Sequence, residues 1–128
     1  MQAKEKSLIK SPFWLDKPQK HDYPAAASYL NLIFNDTNVK RIIKKLKNQK
    51  MKTFKAKDIF RASGLSLLGV SNSHVKSNQE KINNGEKLSP ILLVRYADKV
   101  IIADGYHRMC AVYAISEDSV IPCQIVSA

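Results

Sequence analysis

The densest chemistry in the sequence lies at Asp104-Gly105-Tyr106-His107-Arg108. The apolar run Val100 to Ala103 reads as a buried strand that stops at Asp104-Gly105, a turn signal. Met109, Cys110, Val112, Tyr113 and Ile115 follow at the spacing of one helical face. Gly105 to Arg108 therefore fall at a strand-to-helix turn and in the first helical turn. Backbone N–H groups lack partners there, and the helix dipole favours an anion. Gly105 allows a ligand close to the backbone, and His107 and Arg108 add donors, the arginine as a two-pronged grip. The chemistry this predicts is phosphate binding. The plainer reading is an ordinary turn with a solvated first helical turn. Asp104 itself reads most plainly as a helix cap.

The rest of the chain must position that turn. Its 128 residues suffice for one domain with a real core, and 45% hydrophobic with 25% charged content is that of a globular protein. No apolar run is long enough to cross a membrane, and the first residues lack the apolar segment of a signal peptide, so a cytoplasmic protein with no membrane partner is expected. Cys110 and Cys123 are too far apart for a CxxC pair and lie in apolar surroundings, which predicts two buried thiols rather than a zinc site.

Residues 1–24 read as an irregular arm, broken by Pro12, Pro18 and Pro24, with Phe13 and Trp14 as an apolar plug. Pro24 opens a helix whose apolar face is Tyr29, Leu32 and Ile33. Asp36 or Thr37 caps a second helix carrying Val39, Ile42, Ile43 and Leu46. Residues 25–50 thus form a helical hairpin placed before a domain over 51–128, all in one compact unit. Thr53 to Ile59 alternates and predicts a short strand, followed by a loop bearing Arg61 and the apolar patches Leu65 and Leu67-Leu68. Asn72 or Ser73 caps a helix that Gly85 stops, with His74, Ser77 and Lys81 on one face and Val75, Asn78 and Ile82 packing inward. Ile91 to Tyr96 and Val100 to Ala103 pair as a hairpin around Ala97-Asp98-Lys99. Val120 to Val126 is the last strand, where Pro122 points to an edge or a bulge.

From Val39 to Lys57 there are nine Lys or Arg and no acid. With a net charge of +10, this run predicts either a solvated helix or a surface for nucleic acid or an acidic protein, centred on Lys40, Arg41, Lys44, Lys45 and Lys47. Aromatic residues are sparse here, which argues against a base-stacking platform.

The ordered set of elements from Thr53 to Val126 resembles the ParB/sulfiredoxin-like superfamily. The resemblance rests on Gly105-Tyr106-His107-Arg108, on Leu88-Ser89-Pro90 leading a strand, and on Ile121-Pro122-Cys123-Gln124-Ile125-Val126. It implies nucleotide phosphate held at the helix start. In sulfiredoxins the motif is Gly-Cys-His-Arg, and its cysteine reduces sulfinic peroxiredoxin with ATP. Tyr106 stands at the cysteine position here and cannot form the sulfur intermediate, so that reaction is not expected. The resemblance carries the phosphate contacts to His107 and Arg108, the nucleotide-facing helix positions to His74, Ser77 and Lys81, and an upstream arginine to Arg61. ParB proteins bind CTP and continue into a DNA-binding module, whereas the sequence stops at Ala128, just after the last strand. Free-serine kinases of the same fold transfer phosphate and need a carboxylate base, for which Asp104 is the candidate.

The expectation is an α+β fold, a small mixed sheet with packed helices behind a helical hairpin. The function predicted for it is binding of a nucleotide (ATP, ADP or CTP, with Mg) or another phosphorylated small molecule at Gly105 to Arg108. Phosphotransfer or hydrolysis is compatible with these residues but not required by them. The alternative is a non-catalytic nucleic-acid or protein-interaction module working through the lysine-rich segment.

Overall fold

The computed structural model describes residues 14–66, 69 and 72–128. Among them lie five helices and one four-stranded mixed sheet, so the α+β class read from the pattern is the one observed. In chain order the elements are α1 (Asp22–Leu30), α2 (Asp36–Lys47), β1 (Lys52–Lys55), α3 (Ala56–Ser63), α4 (Ser73–Asn83), β2 (Ile91–Tyr96), β3 (Lys99–Asp104), α5 (Tyr106–Ile115) and β4 (Val120–Ser127). The strands lie in the order β1-β4-β2-β3. β4 runs antiparallel to β1 and parallel to β2, while β2 and β3 form the antiparallel hairpin.

Period-two alternation sends side chains to both faces of this sheet, and both are covered. One face packs Leu92, Val94, Ala103 and Val126 against Ala26 and Leu30 of α1 and Val39, Ile42 and Leu46 of α2. The other packs Ile91, Leu93, Ile102, Cys123 and Ile125 against α3, α4, α5 and Trp14. Trp14 is 1% exposed and forms a bridge with Leu88, and Leu15 N–H donates to the Leu88 carbonyl at 2.8 Å. The arm thus enters the core through its tryptophan. Phe13 and the Leu67-Leu68 patch lie outside the described residues.

Several local expectations are corrected. The inward side of α1 is Asp22, Ala26 and Leu30, whereas Tyr29, Leu32 and Ile33 are exposed. Small alanines let this helix approach the sheet closely, so the larger apolar residues need not face it. α1 also begins at Asp22, which places Pro24 in its first turn, where a missing N–H costs nothing. α2 is capped by Asn35, whose side chain accepts from Asn38 N–H at 2.8 Å, and not by Asp36 or Thr37. The alternation ends at Lys55: Ala56, Ile59, Phe60 and Ser63 are buried at helical spacing, and Gly64 closes α3 at φ 69°. Arg61 is therefore on a helix and not in a loop. The hairpin turn is the two residues Ala97-Asp98, at φ 53° and 61°, with Lys99 already in β3. β4 is an inner strand, and Pro122 sits one residue before its ladder with β2 begins at Cys123, so no β2 partner loses a donor there.

Candidate functional site at the Gly105 turn

β3 delivers Asp104 to the edge of the sheet, and Gly105 reverses the chain into α5. Gly105 adopts φ 106°, and a Cβ there would lie 2.3 Å from Ile91 Cδ1 and 3.0 Å from Arg108 Nη2. Position and conformation both require glycine.

Arg108 does not reach into solvent as an anion grip. Its Nε donates to the Ser89 carbonyl at 2.9 Å, and its Nη2 donates to the Pro90 carbonyl at 3.1 Å and to Asp104 Oδ2 at 2.8 Å. Both partners of the ion pair are largely buried, with 17% and 15% of their side-chain surface exposed. The guanidinium ties the start of α5 to the segment that leads into β2. Asp104 is correspondingly engaged: it is not the cap of α5, and burial pushes its carboxyl above the ordinary value, with Arg108 opposing only in part.

The strut continues into the N-terminal helix. Ser89 Oγ donates to Gln19 Oε1 at 2.7 Å, Gln19 N–H donates to Asp22 Oδ2 at 2.8 Å, and His21 Nε2 lies 3.4 Å from Asp22 Oδ1. Asp22 is 2% exposed, and its charge is felt at Asp104, as is that of His21. Neither His21 nor Asp22 stands out by spacing or motif in the sequence. Their only signal was a His-Asp pair in a segment read as an arm.

On the other side of the turn the rings of His107 and His74 lie 4.8 Å apart. Burial, together with His74 beside it, holds the His107 imidazole below its ordinary value. The Tyr106 hydroxyl donates to the Ser66 carbonyl, and burial raises that hydroxyl above its ordinary value. His74 and His107 therefore stand together at this turn.

The first turn of α5 has no side-chain cap, and neither has that of α1. By contrast, Asn35 and Asn72 cap α2 and α4, and the carbonyls of Ser119 and Glu117 accept from the first two N–H groups of α3. Beside the α5 turn lies an open cleft of about 440 Å³, lined by Asp104, Gly105, Tyr106 and His107 on one side and by Ala25, Tyr29 and Leu65 on the other.

The remaining predicted site residues are dispersed. Ser77 and Lys81 are exposed on α4, one and two turns beyond His74, and neither lines the cleft. Arg61 is 80% exposed beside Asp58, at 3.5 Å, and also lies off the cleft. In the basic run, Lys40 pairs with Asp36 at 3.1 Å, Arg41 donates to Asn38 at 3.3 Å, Lys45 donates to the Ser127 carbonyl at 2.5 Å, and Lys47 lies over the Tyr23 ring. Lys40, Lys44 and Lys47 also line a groove of about 420 Å³ between α1 and α2.

No known family model matches the chain, and no curated protein or solved structure matches it significantly. Among the described residues, no helix is long and apolar enough to cross a membrane.

Proposed function

We propose that the cleft beside Gly105 binds the phosphate of a nucleotide, such as ATP, ADP or CTP with Mg, or of another phosphorylated small molecule. The observation that carries this reading is the uncapped first turn of α5 opening beside Gly105 onto a cleft that His107 lines. Unsatisfied N–H groups at a helix start are a natural seat for phosphate, and glycine lets the anion approach them. His107, with His74 behind it, supplies the side-chain donor. Arg108 acts one layer below: it fixes the turn and leaves the anion to the backbone. The nucleotide class is taken from the resemblance of the sequence to ParB/sulfiredoxin-like domains. Asp104 is bound to Arg108, so the reading is one of binding and assigns no reaction. The buried, reduced Cys110 and Cys123 suit the cytoplasmic setting proposed with it.

A thermal-shift series with inorganic phosphate, ATP, ADP, CTP and GTP, each with and without magnesium, tests the reading. A ligand at one hundred times its Kd stabilises by about 2.7 kcal/mol. We expect at least one nucleotide to raise the melting temperature of the wild type and to lose that effect in His107→Ala. No shift with any of them overturns the reading.

A second reading rests on the groove between α1 and α2, where Lys40, Lys44 and Lys47 converge. Nucleic acid bound there would show an affinity that falls steeply with salt, because neutralised phosphates release counterions. Charge reversal at these three lysines would abolish such binding; affinity indifferent to both salt and reversal removes this reading.

A further inference from the structure

Among the described residues β3 is a terminal strand of the sheet, bonded to β2 on one side and to no strand on the other, with Val100 half-buried and Ile102 6% exposed. Exposed edges are ordinarily blunted by lysine, proline or a covering element. From Val100 to Ala103 this edge carries neither charge nor proline. Lys99 and Tyr96 close a two-residue hairpin, so alternation turns the N–H and C=O groups of Lys99 and Ile101 toward β2 and those of Val100 and Ile102 outward.

Alongside that edge runs an apolar groove. The cleft at the Gly105 turn continues toward the hairpin tip as a second hollow of about 290 Å³, and the two share Tyr29, Leu65 and Ile102. Six large apolar side chains are exposed among the described residues, and four of them, Tyr29, Ile33, Leu65 and Tyr96, line this one groove. Exposed apolar residues scattered singly carry no message, but a cluster of them beside a terminal strand marks an interaction site. The walls come from α1 and from the end of α3, and the floor is β3.

We infer that this edge binds an extended, acidic segment of a partner polypeptide, which adds to β3 as a fifth strand. Main-chain pairing with Val100 and Ile102 supplies the register, and alternate apolar side chains of the partner fill the groove. The acidic character follows from charge. The chain carries a net +10, Lys99 stands at one end of the groove, and the single carboxylate lining it, Asp104, is held by Arg108. The same net charge opposes a second copy of this chain at so close an approach. The groove shares Tyr29, Leu65 and Ile102 with the phosphate cleft, but the inference requires no contact with the backbone of Tyr106 to Arg108, where the phosphate reading places its anion.

The test uses the full chain and an acetylated, amidated peptide of alternating valine and glutamate, about eight residues long, the length of an ordinary strand. Amide hydrogen exchange is followed residue by residue. At saturation the peptide slows exchange at Val100 and Ile102 by about tenfold or more, whereas the same peptide N-methylated at alternate residues binds at least about tenfold more weakly. Leu65→Ser and Tyr29→Ser, both at exposed positions, weaken binding while their melting temperatures stay near that of the wild type. Four results overturn the inference: no protection up to millimolar peptide; equal binding by the N-methylated peptide; protection of these amides in the free monomer, which would mean that the chain covers its own edge; or a concentration-dependent dimer that protects them without peptide.

Discussion

Arg108 and Asp104 stand one helical turn apart in sequence and meet at 2.8 Å, and the same guanidinium reaches back 18 and 19 residues to the carbonyls of Pro90 and Ser89. One side chain thereby joins the end of β3, the start of α5 and the lead into β2. Arg108→Ala removes all three bonds and leaves Asp104 buried without its partner. Such losses cost about 2–4 kcal/mol, a fall in melting temperature on the order of 10 °C without ligand. Arg108→Lys should recover only part, since one ammonium does not match the span of the fork. A melting curve for Arg108→Ala that overlays the wild type would show that the strut carries no load.

Gly105→Ala meets two obstacles, φ 106° and a Cβ 2.3 Å from Ile91 Cδ1. We expect a cost of about 1–3 kcal/mol in denaturant unfolding. Gly64 offers the control, because it has φ 69° but open space around its missing Cβ. Gly64→Ala should cost less; an equal cost would locate the whole effect in the dihedral angle.

The β2–β3 hairpin and the α5 turn were legible because alternation, a short polar turn and a glycine are local signals, although the turn is one residue shorter than the pattern suggested. α3 was missed because Thr53 to Ile59 alternates, and only the burial of Ala56, Ile59, Phe60 and Ser63 reveals the helical period. The inward face of α1 was misread because alanines pack closely where tyrosine and isoleucine were expected. The turn itself was found, but the role of Arg108 was not. It depends on the Ser89 and Pro90 carbonyls, which the fold brings to it through β2 and which no spacing announces. His21 and Asp22 escaped notice for the same reason.

His107 gives the site a pH dependence. Burial and the neighbouring His74 depress its folded-state value below the ordinary one, so the unfolded chain binds more protons between the two. Stability should therefore rise with pH through that window and fall as pH drops below the ordinary histidine value of about 6.5. His107→Gln should flatten this part of the curve. An unchanged slope in the variant would assign the dependence to another group.

Thiol chemistry offers an independent check of the core. Cys123 is fully buried, and burial pushes its thiol well above the ordinary range; Cys110 is 2% exposed. Neither should react with an aromatic disulfide reagent in the native chain, and both should react in denaturant. Tyr106 occupies the position at which a sulfiredoxin-type cysteine would act, so no ATP-dependent reduction of a hyperoxidised peroxiredoxin is expected. Rapid labelling of the native protein, or such a reductase activity abolished by Cys110→Ser or Cys123→Ser, would contradict the account.

The central claim is that phosphate sits on the backbone at the start of α5, and amide chemical shifts read that location directly. The protein is titrated with inorganic phosphate and then with ATP and magnesium, with the amides of Tyr106, His107 and Arg108 followed by two-dimensional NMR. The account predicts saturable shifts at these three amides, a rise in the His107 imidazole pKa on binding, and tighter binding as the pH is lowered. Shifts confined to Lys40, Lys44 and Lys47, or no saturable change at the turn with either anion, would contradict it.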